Sequence, residues 1–447
     1  MPPHADTHQQ DASRQHRKTT QRERLLDAAV QIAATHGYHN CTVTKIVGAA
    51  GVSRPTFYDY FSDRDTCLLA ALATLNDNLL SLTADAVEHA DASRAPFVAL
   101  DAIIDFCHAR PAEARLWLIE WLAGVSSMLD ARDNGIDALA RVVDQAYLSA
   151  SPDALVPDID SGVLLGGIQR LLASRTRQGE SLVAARPELH AWIESYSVPR
   201  HSRRSPHLSI SDSPPAEPSA EPPFGARPGH RSEVDYPGRD PGEYHRDRIF
   251  YAAAQAFAGK RLEDVVVSDI AKRAGVGYRR LTALFSDKER LFSGMHELGY
   301  LRTLAATSGA YFSQDAWPDR VWAGGVQYTH YVAGNPSLAH IGFVMPYSAG
   351  PHAARHMDEI LKAFTLFLHE GYAHVPAGRE RPSSVALMAI AATIFDSGYR
   401  TCRTGNAAHL PGLLPQAVFI SLAPFLGPQA TMRFIDNKWD SPRSAAA

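Results

Sequence analysis

Thr42-Val-Thr-Lys-Ile-Val-Gly-Ala-Ala-Gly-Val-Ser-Arg-Pro-Thr-Phe-Tyr-Asp-Tyr-Phe-Ser-Asp-Arg64 decides the fold, because it spells two short helices around a tight turn. Thr42 is placed to cap the first helix and Ser53 the second. Gly51 suits the turn, where only a residue without a Cβ takes the left-handed conformation without strain. Pro55 falls in the first turn of its helix, where a missing N–H costs no intrahelical bond. At about 100° per residue, Phe57, Tyr60 and Phe61 share one face and belong to a core. Pro55, Tyr58 and Asp59 look outward, with Arg54 and Thr56 on the flanks. Upstream, Thr20-Gln-Arg-Glu23 fits a capping box that opens a helix. Leu25, Leu26, Ala29, Ile32 and Ala33 give that helix its apolar stripe, and Gly37 its stop. Ser62 is read as the start of a fourth helix. Three short helices with an exposed third make a helix-turn-helix, whose third helix enters the major groove and presents N-terminal side chains to base edges.

The same sentence recurs 224 residues later, as Ile270-Ala-Lys-Arg-Ala-Gly275-Val276 followed by Phe285-Ser-Asp-Lys288, and it aligns without a gap from Arg22/Arg246 to Asp63/Asp287. Beyond it, Arg110-Pro111-Ala-Glu-Ala resembles Asn335-Pro336-Ser-Leu-Ala, Arg177-Gln-Gly179 resembles Arg403-Thr-Gly405, and Pro187-Glu-Leu189 resembles Pro411-Gly-Leu413. The offset drifts by one or two residues, as expected if a whole helical unit is duplicated. No strand-like alternation is sustained enough to compete, so the expected fold class is all-α. The expected organisation is an arm at 1–18, a first helix-turn-helix domain at 19–78, a first regulatory helical domain at 79–198, a Pro-rich flexible linker at 199–243, a second, divergent helix-turn-helix domain at 244–303, a second regulatory helical domain at 304–430 and a frayed tail at 431–447.

With 447 residues, 45% hydrophobic and 21% charged, the chain has ample core for two or more domains. Its formal net charge of −4 means that any attraction to phosphate comes from local clusters of cations. The four cysteines form no Cys-x-x-Cys pair, which argues against a disulfide framework or zinc ribbon and for a reducing cytoplasm. The polar N-terminus does not read as a signal peptide, and no uncharged apolar run has spanning length.

The Thr42–Arg64 string closely resembles the DNA-binding signature of the TetR/AcrR family of bacterial transcriptional regulators, and its second copy implies two tandem TetR-type units in one chain. The resemblance implies that each unit has a three-helix reader followed by a regulatory and dimerisation bundle. By position, it places Arg54, Pro55 and Thr56 at base edges and Thr42, Lys45, Tyr58 and Arg64 at phosphates, with Thr44 and Ser53 completing the candidate DNA-binding set. In the second copy, Gly37 becomes Arg261, Thr42 becomes Val266 and Tyr58 becomes Thr282. Its candidate DNA-binding residues are Lys272, Gly277, Tyr278, Arg279, Arg280 and Lys288, a basic exposed helix over a core face of Leu281, Leu284 and Phe285. Two unlike readers imply an operator with unequal half-sites. The competing reading keeps one functional reader and makes the second half a pseudo-partner or effector module.

Aromatic clusters mark candidate effector pockets: Trp117 and Trp121 with Phe106, His108 and Met128 in the first half, and Trp322, Tyr328, Tyr331 and Phe343 with Trp317, His330 and Tyr347 in the richer second half. Core packing is the plainer reading of any one of them. His352 and His356 share a helical face without a convincing third ligand, so no metal and no cofactor is expected. No nucleophile elbow, phosphate loop or zinc-protease string is present, which argues against an enzyme. The apolar stripes Leu164, Leu165, Ile168, Leu171, Leu172 and Leu387, Ile390, Ile394, Phe395 are the implied dimer faces. The sequence reading is therefore a ligand-responsive repressor. Its partners are a double-stranded DNA operator and a small-molecule effector of unknown identity, and it acts as an intramolecular pseudo-dimer or a homodimer, with no membrane role.

Overall fold

A computed structural model of the protein describes residues 5–204, 208, 224, 241–258, 260 and 262–440. They fall into two units, Met1–Ala150 with Leu172–Arg186, and Ser151–Leu171 with Pro187–Ala447.

The first unit opens with α1 (Ala5–His36), α2 (Val43–Ala50) and α3 (Arg54–Tyr58), and continues through α4 (Arg64–Glu88), α5 (Ala95–Ala109), α6 (Pro111–Leu118) and α7 (Ser126–Ser149). Leu25, Ala29 and Ala33 of α1, Ile46 of α2, Phe57 of α3 and Leu68 of α4 are all buried, and α1 packs on α2. α1 also packs on α4 and α6, and α4 on α5 and α7. Gly37 (φ 78°) ends α1 as expected. The start of α1 differs from the expected arm and capping box. The helix runs back to Ala5, because no Gly or Pro interrupts residues 5–36.

α8 (Ser161–Gln178) and α9 (Arg186–Glu194) contribute residues to both units. The second unit holds α10 (Pro241–Phe257), α11 (Val267–Ala274), α12 (Tyr278–Leu284), α13 (Lys288–Phe312), α14 (Trp317–Ala333), α15 (Pro336–Ala339), α16 (Pro351–Phe364), α17 (Ser384–Arg403), α18 (Leu414–Leu426) and α19 (Pro428–Asp440). α13 packs along α14, α14 against α18, and α18 on α19. α18 is nearly all apolar and buried, as the central helix of this unit's core.

Four expectations are corrected here. A two-stranded antiparallel sheet is present, β1 (Leu155–Pro157) with β2 (Ser197–Pro199), in the register Leu155↔Pro199 and Val156↔Val198. Three-residue strands are too short to show an alternating pattern. The linker begins later than residue 199, because the Arg204 guanidinium donates to both carboxylate oxygens of Asp436 at 2.9 Å and its N–H to Asp158 at 2.8 Å. The linker also ends earlier, since α10 starts at Pro241, in the first-turn position that suits proline; most of 199–243 lies outside the described residues. The tail is helical to Asp440, because Met432 and Ile435 present one apolar face and are buried. Finally, α4 is capped by Asp63 and not by Ser62, and α13 is capped in the same way by Asp287. Each carboxylate accepts from the N–H three residues on, Thr66 at 2.7 Å and Arg290 at 2.8 Å.

Candidate DNA interface and effector cavity

The first reader is built by caps and one glycine. Thr42 Oγ1 accepts from the N–H of Lys45 at 3.4 Å, and Ser53 Oγ from the N–H of Thr56 at 3.2 Å. Between the helices Gly51 is left-handed (φ 61°, ψ 40°), and the Arg24 guanidinium of α1 donates to its carbonyl at 3.3 Å. Phe57 and Phe61 are buried, and Tyr60 donates from its hydroxyl to Gln21 at 3.3 Å. The opposite face carries Arg54, Pro55, Tyr58 and Asp59, all exposed, with Thr56 half-buried beside them and Thr42, Thr44, Lys45 and Ser53 exposed nearby. The Arg54 guanidinium lies 5.9 Å over the Tyr58 ring, so charge and hydroxyl are presented together.

Arg64 is the exception among the expected phosphate contacts. Its Nε pairs with Asp65 at 2.8 Å, Nη1 donates to the carbonyls of Tyr38 and Cys41 at 3.4 Å, and its guanidinium covers the Tyr38 ring at 4.4 Å. In this geometry it braces the reader. Tyr38 is the hub of that brace. Its hydroxyl donates to Asp65 at 2.9 Å and its N–H to Glu120 at 2.8 Å. Glu120, just past α6, is buried and also pairs with Arg115 at 3.0 Å. Burial pushes its carboxyl above the ordinary range, against the opposing pull of the Tyr38 N–H and Arg115. The reader is thereby bonded to the bundle beneath it, by a residue that sequence reasoning missed because Glu120 looks like any helix-end acid.

The same local geometry recurs in α10–α12. Gly275 is left-handed (φ 61°, ψ 34°) between α11 and α12, and the residue that a Cβ there would strike is Arg248, the repeat equivalent of Arg24. Leu281 and Phe285 are buried and Leu284 half-buried. Gly277 occupies the cap position in extended conformation, and neither Val266 nor Gly277 offers a side-chain cap. Lys272, Arg273, Tyr278, Arg279 and Arg280 are exposed and Lys288 is half-buried. Counting back 224 residues, the four exposed cations stand where the first reader has Gly48, Ala49, Pro55 and Thr56. Arg261 lies outside the described residues.

Of the expected pocket residues, Tyr328 and Phe343 line a cavity of about 230 Å³ in the second unit, walled by α13, α14, α16, α17, α18 and the π-helical turn His340–Val344. Trp322 and Tyr331 do not; Trp322 meets Phe434 of α19 edge-on at 6.2 Å. In the first unit, Trp117 donates to Asn76 at 3.0 Å and Trp121 lies under the Arg132 guanidinium at 5.2 Å, both buried. Their burial agrees with the plainer, packing reading of those two tryptophans.

The cavity lining includes no Asp, Glu, Lys or Arg among the described residues. Its serine and threonine hydroxyls are turned to their own helices: Thr303 donates to Gly299 at 2.8 Å, Thr307 to Thr303 at 2.8 Å, Thr329 to Gly325 at 2.9 Å, Ser397 to Thr393 at 3.1 Å and Ser421 to Ala417 at 2.8 Å, while the Tyr311 hydroxyl donates to the carbonyl of Phe367 at 3.1 Å. His296 is stacked 5.7 Å from Phe292, and burial drops its pKa to about 3, so the imidazole is neutral. The sequence reading passed over His296, Tyr300, Thr303 and Thr307, whose shared face on a 25-residue helix was the available signal. The π-helical turn also leads outward from the cavity. The His340 imidazole hydrogen-bonds the main chain of Lys260, in the loop between α10 and α11. π-Helical turns of this kind are rare and concentrate at functional sites.

The four cysteines are free and buried, and burial lifts their thiols to about 11 for Cys41 and about 12 for Cys67, Cys107 and Cys402. His352 is exposed, and His356 pairs with Glu359 at 3.3 Å and meets the His296 ring edge-on at 5.5 Å.

Comparison with known proteins agrees with the first reader. The chain is 35% identical over 86 residues to the "HTH-type transcriptional activator FasR" of Mycolicibacterium smegmatis, covering 19% of this chain and 39% of that protein. It is 41% identical over 46 residues to the "Fatty acid metabolism regulator protein" of Bacillus subtilis, covering 10% and 24%. The chain thus spans less than half the length of these curated relatives. Among solved structures, the fatty acid degradation regulator FadR from Bacillus halodurans aligns with a TM-score of 0.35 at 18% identity, over 38% of this chain and 93% of that one. Residues 25–71 match the profile of "Bacterial regulatory proteins, tetR family", so the first reader is a TetR-type helix-turn-helix domain.

Proposed function

We propose that the protein is a ligand-responsive transcriptional repressor that reads an operator with unequal half-sites through two helix-turn-helix units carried on one chain. The carrying observation is the recurrence, 224 residues apart, of a left-handed turn glycine with its α-helical arginine, Arg24 with Gly51 and Arg248 with Gly275, beneath outward faces of different chemistry. The first face offers Arg54, Pro55, Thr56 and Tyr58 to base edges and phosphates. The second offers Lys272, Tyr278, Arg279 and Arg280. Unlike side chains at matched positions select unlike base pairs.

The effector occupies the second-unit cavity. An uncharged apolar lining selects an uncharged apolar molecule or apolar chain, because a buried charge without a partner is costly. At about 230 Å³ the space exceeds the ~150 Å³ that accepts a benzene ring. Occupancy displaces the turn His340–Val344 and, through His340 and Lys260, the loop feeding the second reader. The effector lowers operator affinity to the extent that it binds the displaced state more tightly.

Footprinting of the full chain on the DNA flanking its own gene, with protein mass measured by light scattering, tests this. One chain protecting two unlike half-sites is the expected result. Protection of one half-site per chain would leave the second half a pseudo-partner or effector module.

A further inference from the structure

Helices α8 and α17 end alike. Gly179 (φ 72°) and Gly405 (φ 79°) are both left-handed, and the bond from the Glu180 N–H to Arg175 O at 2.9 Å is matched by that from the Asn406 N–H to Thr401 O at 3.1 Å. These ends fix the repeat register at 226 residues. Counting back along two uninterrupted helices pairs Arg170 with Asp396 and Gly167 with Thr393. Those equivalent residues are the ones that touch. Arg170 Nη2 and Nε donate to Asp396 Oδ1 at 2.9 and 3.2 Å, with the two side chains 3% and 2% exposed. A Cβ on Gly167 would lie 2.7 Å from the Thr393 Cα. In the following helices Pro187 aligns with Pro411, a register of 224, and Tyr196 donates its hydroxyl to the carbonyl of its equivalent, Ile420, at 2.9 Å. Equivalent residues meet each other only along a two-fold axis, the signature of a self-complementary interface.

We propose that Arg170–Asp396, with Gly167–Thr393, is a partner-selecting lock that joins first-repeat helices to second-repeat helices and rejects like-with-like pairing; the inference rests on the tandem-unit reading above. On the same axis, two first repeats would bury Arg170 against Arg170, and two second repeats Asp396 against Asp396. Either leaves like charges without compensation in a water-free site. The small pair works the same way, since Thr393 fits only against a glycine and two threonines there would collide. The arginine site is itself built by one repeat for the other. Arg170 lies over the rings of Tyr347, Phe395 and Tyr399 at 5.1, 4.8 and 4.9 Å, all from the second repeat. At the positions matching Phe395 and Tyr399 the first repeat has Gln169 and Ala173, so it lacks that cage.

The test uses two full-length variants, Arg170→Asp and Asp396→Arg. Each alone carries like charges across the axis, and its Tm should fall by on the order of 10 °C. The first keeps Asp396 and the second keeps Arg170, so the native pair can re-form only between two chains. Co-expressed, they should yield a species of twice the chain mass by light scattering, with much of the lost Tm recovered. Should either variant be insoluble alone, the co-expressed pair must still give that soluble two-chain species. The lock is overturned if a single variant keeps the wild-type Tm, or if co-expression gives no two-chain species. A footprint spanning one half-site would instead sink the two-reader reading and leave a two-chain result standing.

Discussion

Replacing Arg279 and Arg280 of α12 by alanine separates a working second reader from an ornamental one. Both guanidiniums are exposed on the outward face, and their equivalents in the first reader, Pro55 and Thr56, are uncharged. If each neutralises one phosphate, the double variant releases two fewer counterions, and the slope of log K against log salt becomes shallower by about 1.8. The same relation gives an affinity loss of about 30-fold at 0.15 M salt and about 200-fold at 0.05 M. Fluorescence anisotropy with the footprinted operator, titrated across that salt range, reads both numbers. The folded core should be untouched, because Leu281 and Phe285 face the other way, and equal Tm values verify this. An unchanged slope refutes the reasoning, whatever happens to affinity at a single salt concentration.

The remaining predictions concern the cavity and its link to the reader. His340→Leu removes the bond to Lys260; operator affinity without effector should stay within a few-fold of wild type while the effector's release of DNA is lost, measured by the same anisotropy assay. Gly342→Leu places a side chain where a Cβ meets nothing within 4 Å on the cavity wall, and should raise stability by up to about 1.5–3 kcal/mol while abolishing effector response. His296 has its folded pKa lowered to about 3 from 6.5, so the unfolded chain takes up a proton that the folded chain refuses. Its contribution is therefore destabilising as pH falls below about 6.5, at up to about 1.4 kcal/mol per pH unit. In melts at pH 7, 6 and 5, the stability of His296→Leu should decline less steeply than that of wild type; parallel declines would refute the assignment.

The first helix-turn-helix was legible because helix caps, a turn glycine and aromatic spacing are local signals, and Thr42, Ser53, Gly51, Phe57 and Phe61 act within a few residues of themselves. The bracing contacts of Arg64 were not legible, because position in a motif does not reveal a partner 26 residues away, the carbonyl of Tyr38. The aromatic clusters were only half informative. Trp117 and Tyr328 look alike in sequence, yet one finds Asn76 and fills core while the other borders empty space. Whether neighbours leave a gap is a property of several helices together, so no single stretch encodes it. The charged pair had a visible trace, since Arg170 and Asp396 interrupt apolar stripes. Only the shared register of α8 and α17 shows that each interruption answers the other.

The cavity in the second unit bears on how sharply the proposed regulator would respond. A symmetric dimer carries two equal effector sites and can turn partial occupancy into a steep transition. Here Trp117 and Trp121 pack the interior of one bundle, while the cavity lies between α13 and α18 of the other unit. On the proposed reading, in which this cavity serves both readers of one chain, induction would follow a hyperbola with a Hill coefficient of about one. Such a chain would grade its output over a wide range of effector concentration instead of acting as a threshold switch.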